Sequence, residues 1–87
     1  MIEQMKVASS SSPTSVAGAI SSIIRNQDYL DVDTVGAGSL NQAIKAIAIA
    51  RGYLVPSGID LVILPSFKEI EIEGKEKTAV RIRIEKR

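Results

Sequence analysis

A glycine loop is the first feature of the sequence that could do chemistry. Gly36-Ala37-Gly38 stands between a predicted strand and a predicted helix, where free backbone N–H groups and the positive end of the helix can hold a phosphate. Asn41 replaces the third glycine of a dinucleotide-binding fingerprint, and no Gly-Lys-Ser/Thr of a nucleotide P-loop follows. A tight turn between strand and helix would also explain both glycines, so the loop has a phosphate-binding and a purely structural interpretation.

Four consecutive serines form the second candidate. Ser9 to Ser12 precede Pro13, which suits the first position of a helix because its missing N–H would have no helical partner there. The serine hydroxyls could contact a phosphate at this helix start. Taken alone, the pattern favours a flexible loop with Ser12 as the N-cap.

The last twenty residues contain most of the basic charge. Residues 68–87 hold seven Lys and Arg against five Asp and Glu, whereas residues 1–67 hold four against five. The candidate contacts for a phosphate backbone in this segment are Lys75, Lys77, Arg81 and Arg83. The glutamates between them support the alternative of a soluble sheet edge protected from aggregation by mixed charge.

Other kinds of chemistry find little support. The chain has no His and no Cys, which excludes an ordinary zinc site, a disulfide and a thiolate or imidazole nucleophile. Asp28, Asp31 and Asp33 lack the glycine and the terminal Glu of a calcium loop and are interpreted as a solvated strand face. Asp33, Ser39 and Lys45 could form a catalytic group, but nothing in their spacing requires it. We expect no enzyme, no metal and no cofactor.

Length and charge limit the class of protein. Eighty-seven residues predict one domain, residues 1–87, and the formal net charge of +1 provides little long-range attraction to polyanions. Nucleic-acid binding would therefore need a local basic patch. The longest uncharged apolar run, Ala46 to Ala50, is far shorter than a membrane span. We expect a cytoplasmic protein with no membrane partner.

The elements that must position these residues follow from hydrophobic periodicity. The predicted order is β-α-β-α-β-β, a two-layer α/β sandwich with both helices on one face of a four-stranded mixed sheet and a protruding C-terminal hairpin. The predicted segments are strands at Ile2–Val7, Tyr29–Val35 and Leu61–Leu64, helices from Pro13 and over Leu40–Arg51, and two strands around Gly74.

The second helix has the clearer boundaries. Ser39 and Gln42 match a capping box, and Gly52 is predicted to end the helix in a left-handed conformation. Ile49 falls on the polar side, where single exposure and a subunit contact both explain it. On the first helix, Ala19 is predicted to face inward and Ser21 outward.

The register of the hairpin is predicted from side-chain parity. A two-residue turn at Gly74-Lys75 would set isoleucines against charged partners, so an odd-numbered loop is favoured, with Lys75, Glu76 and Lys77 at the tip. The continuous run Leu61–Leu64 resembles a strand covered on both faces. Two helices cover only one face, and a second copy of the chain is therefore predicted to cover the other.

Three segments resemble a known family, stage V sporulation protein S. They are SSPTSVAGAI at residues 11–20, GAGSLNQAIKAIAIARG at 36–52 and PSGIDLVILPSF at 56–67. That family in turn resembles the Alba-type chromatin proteins, whose fold has the same order of elements and whose members form dimers and bind DNA or RNA. The resemblance implies an Alba-like fold and a binding face made by the loop before the first helix, the start of the second helix and the hairpin.

Carried over by position, the resemblance implies a set of binding residues: Ser11, Ser12, Gly36, Gly38, Asn41, Lys45, Lys75 and Lys77. Alba-type proteins usually have basic residues in the first loop and before the second helix, where this chain has serines and an uncharged glycine loop. Two hypotheses follow. One is a dimeric, non-enzymatic, nucleic-acid-binding regulator, and the other is a protein-interaction module that regulates sporulation or cell development without binding nucleic acid.

Overall fold

The computed structural model describes residues 4–87, so Ile2 and Glu3 of the first predicted strand lie outside the described residues. Within that range the order is β-α-β-α-β-β, as predicted. The elements are β1 (Gln4–Val7), α1 (Pro13–Asn26), β2 (Tyr29–Thr34), α2 (Ala37–Leu54), β3 (Leu61–Ile72) and β4 (Lys75–Lys86), with a 3₁₀ turn at Val55–Ser57 before β3.

The four strands form one mixed sheet in the order β1-β2-β4-β3. β1 and β2 are parallel and are connected through α1, whereas β4 runs antiparallel to both β2 and β3. The carboxyl ends of β1 and β2 therefore lie side by side. The loops that lead into α1 and α2 leave the sheet at this shared edge.

The core lies between the sheet and the two helices. Buried residues of both helices cluster with residues from a single face of the sheet, which places both helices on that face, as predicted. The cluster comprises Val7, Ala17, Ile20, Ile24, Leu30, Val32, Ala43, Ala46, Ile47, Ala50, Leu54, Leu61, Ile82 and Ile84. The helices contribute four alanines to it, and such small side chains allow a helix to approach a sheet closely.

α1 begins as predicted, but its inner face is slightly rotated. Ser12 is the N-cap, and its hydroxyl accepts a hydrogen bond from the Ser15 N–H at 3.4 Å. Ala19 is exposed and Ser21 is buried, opposite to the prediction. Ser21 is tolerated inside because its hydroxyl donates to the Ala17 carbonyl at 2.9 Å.

α2 is longer at both ends than predicted. It begins after Gly36, and Gly52 remains helical. The left-handed glycine is instead Gly58, with φ of 81°, after the 3₁₀ turn. A glycine inside a helix costs only about 1 kcal/mol relative to alanine, and the burial of Leu54 in the core favours continuation of the helix past Gly52.

The sheet face opposite the helices is covered by ion pairs. Asp31 and Asp33 were expected to be solvated, but only 6% and 4% of their surfaces are exposed. Their cross-strand partners Arg83 and Arg81 lie over them and bind both carboxylate oxygens. The predicted solvated face is therefore wrong, because the register places an arginine opposite each aspartate.

The hairpin turn also differs from the prediction. Two residues, Glu73 and Gly74, connect β3 to β4, both with positive φ, the backbone of a type I′ turn whose twist matches that of the strands. Lys75 pairs with Ile72 inside the ladder and does not lie in a longer tip. The prediction rested on the partners of Ile70, Ile72 and the glutamate row. Lower in the hairpin this register pairs Ile63 with Ile84 and Phe67 with Val80, and such apolar pairs stabilise it.

Candidate functional site

A cleft of about 400 Å³ lies beside the carboxyl ends of β1 and β2. Its walls come from the ends of β1 and β2 and the loops that follow them, from the start of α2 and from the half of β3 next to the hairpin turn. Its lining residues are Lys6, Val7, Ala8, Ser9, Ser11, Asp33, Val35, Ser39, Ile70 and Ile72. The cleft thus brings together the three elements that the sequence resemblance assigned to one binding face.

Internal hydrogen bonds hold the β1–α1 loop in place. The Ser11 hydroxyl accepts from the Ala8 N–H at 2.9 Å, and the Ser11 N–H donates to the Ala8 carbonyl at 3.0 Å. The Ser11 carbonyl accepts from the Gln42 side-chain amide of α2 at 2.9 Å. Gln42 thus connects two elements and is not part of the predicted capping box. The Ser11 hydroxyl retains its own O–H for donation to a ligand.

The start of α2 has no side-chain cap. Gly36, the N-cap residue, has φ of 88°, and as a glycine it has no side chain to accept a hydrogen bond from the first N–H groups of the helix. Ser39 was predicted as the N-cap, but its hydroxyl donates to the carbonyls of Val35 and Gly36, at 2.7 and 3.0 Å. Since the first turn of a helix has no intrahelical acceptors for its N–H groups, this end has the positive character that attracts an anion.

Gly38 lies against the serine loop. A Cβ atom added at Gly38 would lie 3.0 Å from the Cβ of Ser9, which is too close for a larger residue to fit without movement. The close approach of the two loops therefore explains this glycine. Of the other predicted residues, Ser12, Asn41 and Lys45 are exposed and do not line the cleft.

The register of the hairpin places the lysines and the glutamates near its tip on opposite faces of the sheet. Directly paired residues share a face of a sheet, so Lys75 lies beside Ile72 and Lys77 lies beside Ile70. We call this side, with Lys68, the lysine face. The glutamate face is the opposite side and contains Glu69, Glu71 and Glu76. Because Ile70 and Ile72 line the cleft, the lysine face is the one directed to it.

Arg81 and Arg83 are engaged in intramolecular contacts. Arg81 binds Asp33 through two hydrogen bonds of 2.7 and 2.9 Å and also donates to Gln4. Arg83 binds Asp31 at 2.9 and 3.0 Å, and its guanidinium lies 4.2 Å from the centre of the Tyr29 ring. The structure brings neither arginine to the hairpin tip.

The same contacts change the acidity of these groups. The hydrogen bond from Arg83 is the largest influence on Asp31, and it holds the pKa of that carboxyl below its ordinary value despite burial. In return, the carboxylates raise the pKa of both guanidinium groups. Such pairing holds the side chains in fixed positions, so these arginines support the sheet beneath the cleft.

Several cleft residues were not among the predicted contacts. They include Lys6, Val35, Ile70 and Ile72, and of the ten predicted contact residues only Ser11 lines the cleft. The alternation of side chains along the hairpin could have revealed the two isoleucines, because a two-residue turn places Ile70 and Ile72 on the same face as Lys75 and Lys77. For Lys6, only the parallel pairing of β1 with β2, which sets it opposite Asp33, reveals its place.

The residues of the possible catalytic group are engaged elsewhere. Asp33 and Ser39 both line the cleft, but Lys45 does not. The Asp33 carboxylate is bound by Arg81, and the Ser39 hydroxyl donates to backbone carbonyls. Within residues 4–87, no cluster of three His, Cys, Asp or Glu side chains could hold a metal ion. In the same range, neither helix has the length and apolar character needed to cross a membrane.

The chain matches the model of a known protein family. The model of the family described as stage V sporulation protein S (SpoVS) matches residues 3–87. This is essentially the whole chain, and it includes every element that lines the cleft. The resemblance seen in the sequence is confirmed over its full length.

Proposed function

The chain belongs to the stage V sporulation protein S family, and we propose that it is a non-enzymatic regulator that binds DNA or RNA through phosphate contacts as a dimer. The observation that supports this function best is the convergence of the serine loop, the uncapped start of α2 and the lysine face on one cleft. Each of the three can contact a phosphate by a different means: hydroxyl groups, backbone N–H groups and ammonium groups.

The distribution of basic residues supports attraction of a phosphate backbone by a local group of lysines rather than by the net charge of the protein. A net charge of +1 is too small to draw in a polyanion from a distance, but the lysine face gathers Lys68, Lys75 and Lys77 on the side of the hairpin that borders the cleft. The glutamates of the tip lie on the opposite face. A phosphate backbone that follows the lysine face therefore avoids direct contact with them.

A salt titration tests this function. Fluorescence anisotropy with labelled duplex DNA and single-stranded RNA should show log K falling linearly with log salt concentration, by about 0.9 per neutralised phosphate on the duplex and about 0.7 on a single strand. In the Lys75→Gln/Lys77→Gln variant the slope on duplex DNA should decrease by about 1.8, because two contacts are lost.

Lys86→Gln is the matched control, since Lys86 is an exposed lysine at the opposite end of β4. We expect it to retain the original slope. Absence of binding to either nucleic acid at low salt would refute the proposed function. An equal loss in both variants would show that attraction is not localised at the tip.

Dimer formation is proposed through an apolar surface shared by α2 and β3. Ile44, Ile63 and Phe67 are 42%, 38% and 81% exposed, and Ile44 and Ile63 line one shallow groove between the two elements. We call these three residues the α2–β3 surface. A second copy of the chain would cover it, and two copies would present two clefts to one nucleic acid, which strengthens binding through multivalency.

The same surface supports a second candidate function. A protein partner, rather than a second copy, could cover the α2–β3 surface, and regulation would then proceed through protein contacts without nucleic acid. Purification from the source cell with a defined protein partner and no nucleic-acid absorbance would favour this alternative. Salt-dependent binding by the pure protein would favour the first.

A further inference from the structure

The cleft has mainly apolar walls. Val7, Ala8 and Val35 come from the ends of β1 and β2, and Ile70 and Ile72 come from the hairpin. A ligand that fills the cleft must therefore offer apolar surface to both groups. A volume of about 400 Å³ falls within the range of small-ligand sites, about 300–1,000 Å³.

Most polar side chains of the cleft already have internal partners. The Asp33 carboxylate is bound on both oxygens by Arg81, and the Ser39 hydroxyl donates to two backbone carbonyls. The Ser11 hydroxyl accepts from the Ala8 N–H. These groups offer few strong hydrogen bonds to a ligand, so contact with the apolar walls must provide much of the binding.

Cations stand beside these walls. Lys6 lines the cleft itself, and Lys75 and Lys77 lie directly across the hairpin from Ile72 and Ile70. Cβ atoms of such directly paired residues are about 5 Å apart. The complementary ligand therefore has an apolar body and an anionic group attached to it at short distance. A nucleotide combines a base with apolar faces and a phosphate in this way.

We propose that the cleft receives the base of an unpaired nucleotide while the lysine face contacts the adjacent phosphates. This inference rests on the proposed function and deepens it, because it selects single-stranded nucleic acid over duplex. In a duplex the base is stacked and paired, and its extrusion costs a few kcal/mol. An unpaired base enters the cleft without most of that cost.

Three labelled probes of equal length test the proposal by fluorescence anisotropy at one salt concentration. They are a single-stranded oligonucleotide, its duplex, and a strand made entirely of abasic residues with the same number of phosphates. The single strand should bind about tenfold more tightly than the abasic strand, which corresponds to about 1.4 kcal/mol. The abasic strand measures phosphate contacts alone, so this ratio isolates the contribution of the base.

Variants of the protein test whether the base binds in the cleft. Val35→Trp should fill the cleft and reduce the affinity for the natural strand to that for the abasic strand, without weakening the abasic strand. Val55→Trp is the matched control, because Val55 is a 50% exposed valine outside the cleft, and it should retain the tenfold ratio. If Val35→Trp does not fold, as judged by circular dichroism, Ile72→Ser tests the wall on the hairpin and should also lower the tenfold ratio.

The outcomes separate this inference from the proposed function. Equal, salt-dependent binding of natural and abasic strands would overturn the base site and leave phosphate binding intact. Tighter binding of the duplex than of the single strand would overturn it as well. Absence of binding to all three probes would overturn both proposals.

Discussion

Asp31 and Asp33 show how a single position can be misread from sequence. Aspartates that alternate along a strand are typical of a solvated face, yet both carboxylates are buried beneath arginines of the neighbouring strand. Burial of a carboxylate is costly unless it is paired and hydrogen-bonded. Two parallel hydrogen bonds from each arginine satisfy both carboxylate oxygens, so the arginines cover the aspartates of β2 on the face opposite the helices.

We expect low pH to weaken the ion pair between Asp31 and Arg83. The pKa of Asp31 is lower in the folded protein than its ordinary value, mainly because of the hydrogen bond from Arg83. Its contribution to stability is therefore complete above the unfolded pKa of about 3.9 and is lost as pH falls through the folded pKa. We expect the free energy of unfolding, measured in urea, to decrease from about pH 6 to about pH 3.

Substitution of the aspartate identifies the source of that decrease. Asp31→Asn removes the titrating group. We expect the free energy of unfolding of this variant to be lower at neutral pH than that of the original protein and to depend less on pH. Asp28→Asn changes an exposed aspartate and serves as the control. The same pH dependence in Asp31→Asn as in the original protein would contradict the assignment.

At the scale of elements, the turn of the β3–β4 hairpin decides how its charges are arranged. The predicted odd-numbered loop would have paired the glutamate row with Lys77 and Arg81. The two-residue turn instead places lysines and glutamates on opposite faces. It also sets Glu71 directly across from Glu76, a repulsive pair. The same turn also aligns apolar pairs further from the tip, and the stabilisation by these pairs outweighs the repulsion between Glu71 and Glu76.

Glu73 is the strained position of this turn. Its φ is 52°, a left-handed conformation that disfavours residues other than glycine, asparagine and aspartate. The combination Asn-Gly is the preferred type I′ pair, so we expect Glu73→Asn to raise the free energy of unfolding by about 0.5–1 kcal/mol. Thermal and urea unfolding would measure this gain.

Glu73→Gln is the matched control for the substitution. It removes the same charge at the same position, but glutamine lacks the tolerance of asparagine for a left-handed conformation. A comparable gain in both variants would attribute the effect to charge rather than to backbone strain. Destabilisation by Glu73→Asn would contradict the strain argument itself.

At the scale of the whole molecule, the α2–β3 surface groups three of the apolar residues that the single chain leaves exposed, Ile44, Ile63 and Phe67. The apolar run Leu61–Leu64 was predicted to be covered on both faces. Leu61 is buried, but Ile63 is 38% exposed on the α2–β3 surface and Leu64 is 52% exposed on the opposite face of the edge strand. Phe67 is 81% exposed in the same strand. Exposed apolar residues grouped in this way indicate an interface.

Sedimentation measurements test the proposed dimer. We expect the original protein to have the mass of two chains at micromolar concentration and Phe67→Asp to have the mass of one, because a charge would be buried without a partner. Val55→Asp places the same charge on an exposed valine outside the α2–β3 surface and should remain dimeric. A monomeric mass for the original protein would refute dimer formation.

The order of elements and most of the inner face of each helix could be predicted from local pattern, because hydrophobic periodicity and the Ser12-Pro13 helix start are local signals. Element ends were less predictable. Burial of Leu54 in the core keeps α2 helical beyond Gly52, and no pattern near Gly52 reveals it. Of the candidate site, the two loops were recognised, while the cleft walls Ile70 and Ile72 were missed.

By itself, the sequence determined the family, the two-layer architecture and the lack of thiol and imidazole side chains, since these depend on which residues are present and in what order. Tertiary structure alone decided that Arg81 and Arg83 form ion pairs within the sheet and that the lysine face borders a cleft. The physical reason is that cross-strand register depends on the turn and on pairs far apart in the chain. Shifting it by one residue would exchange the faces on which the charges lie.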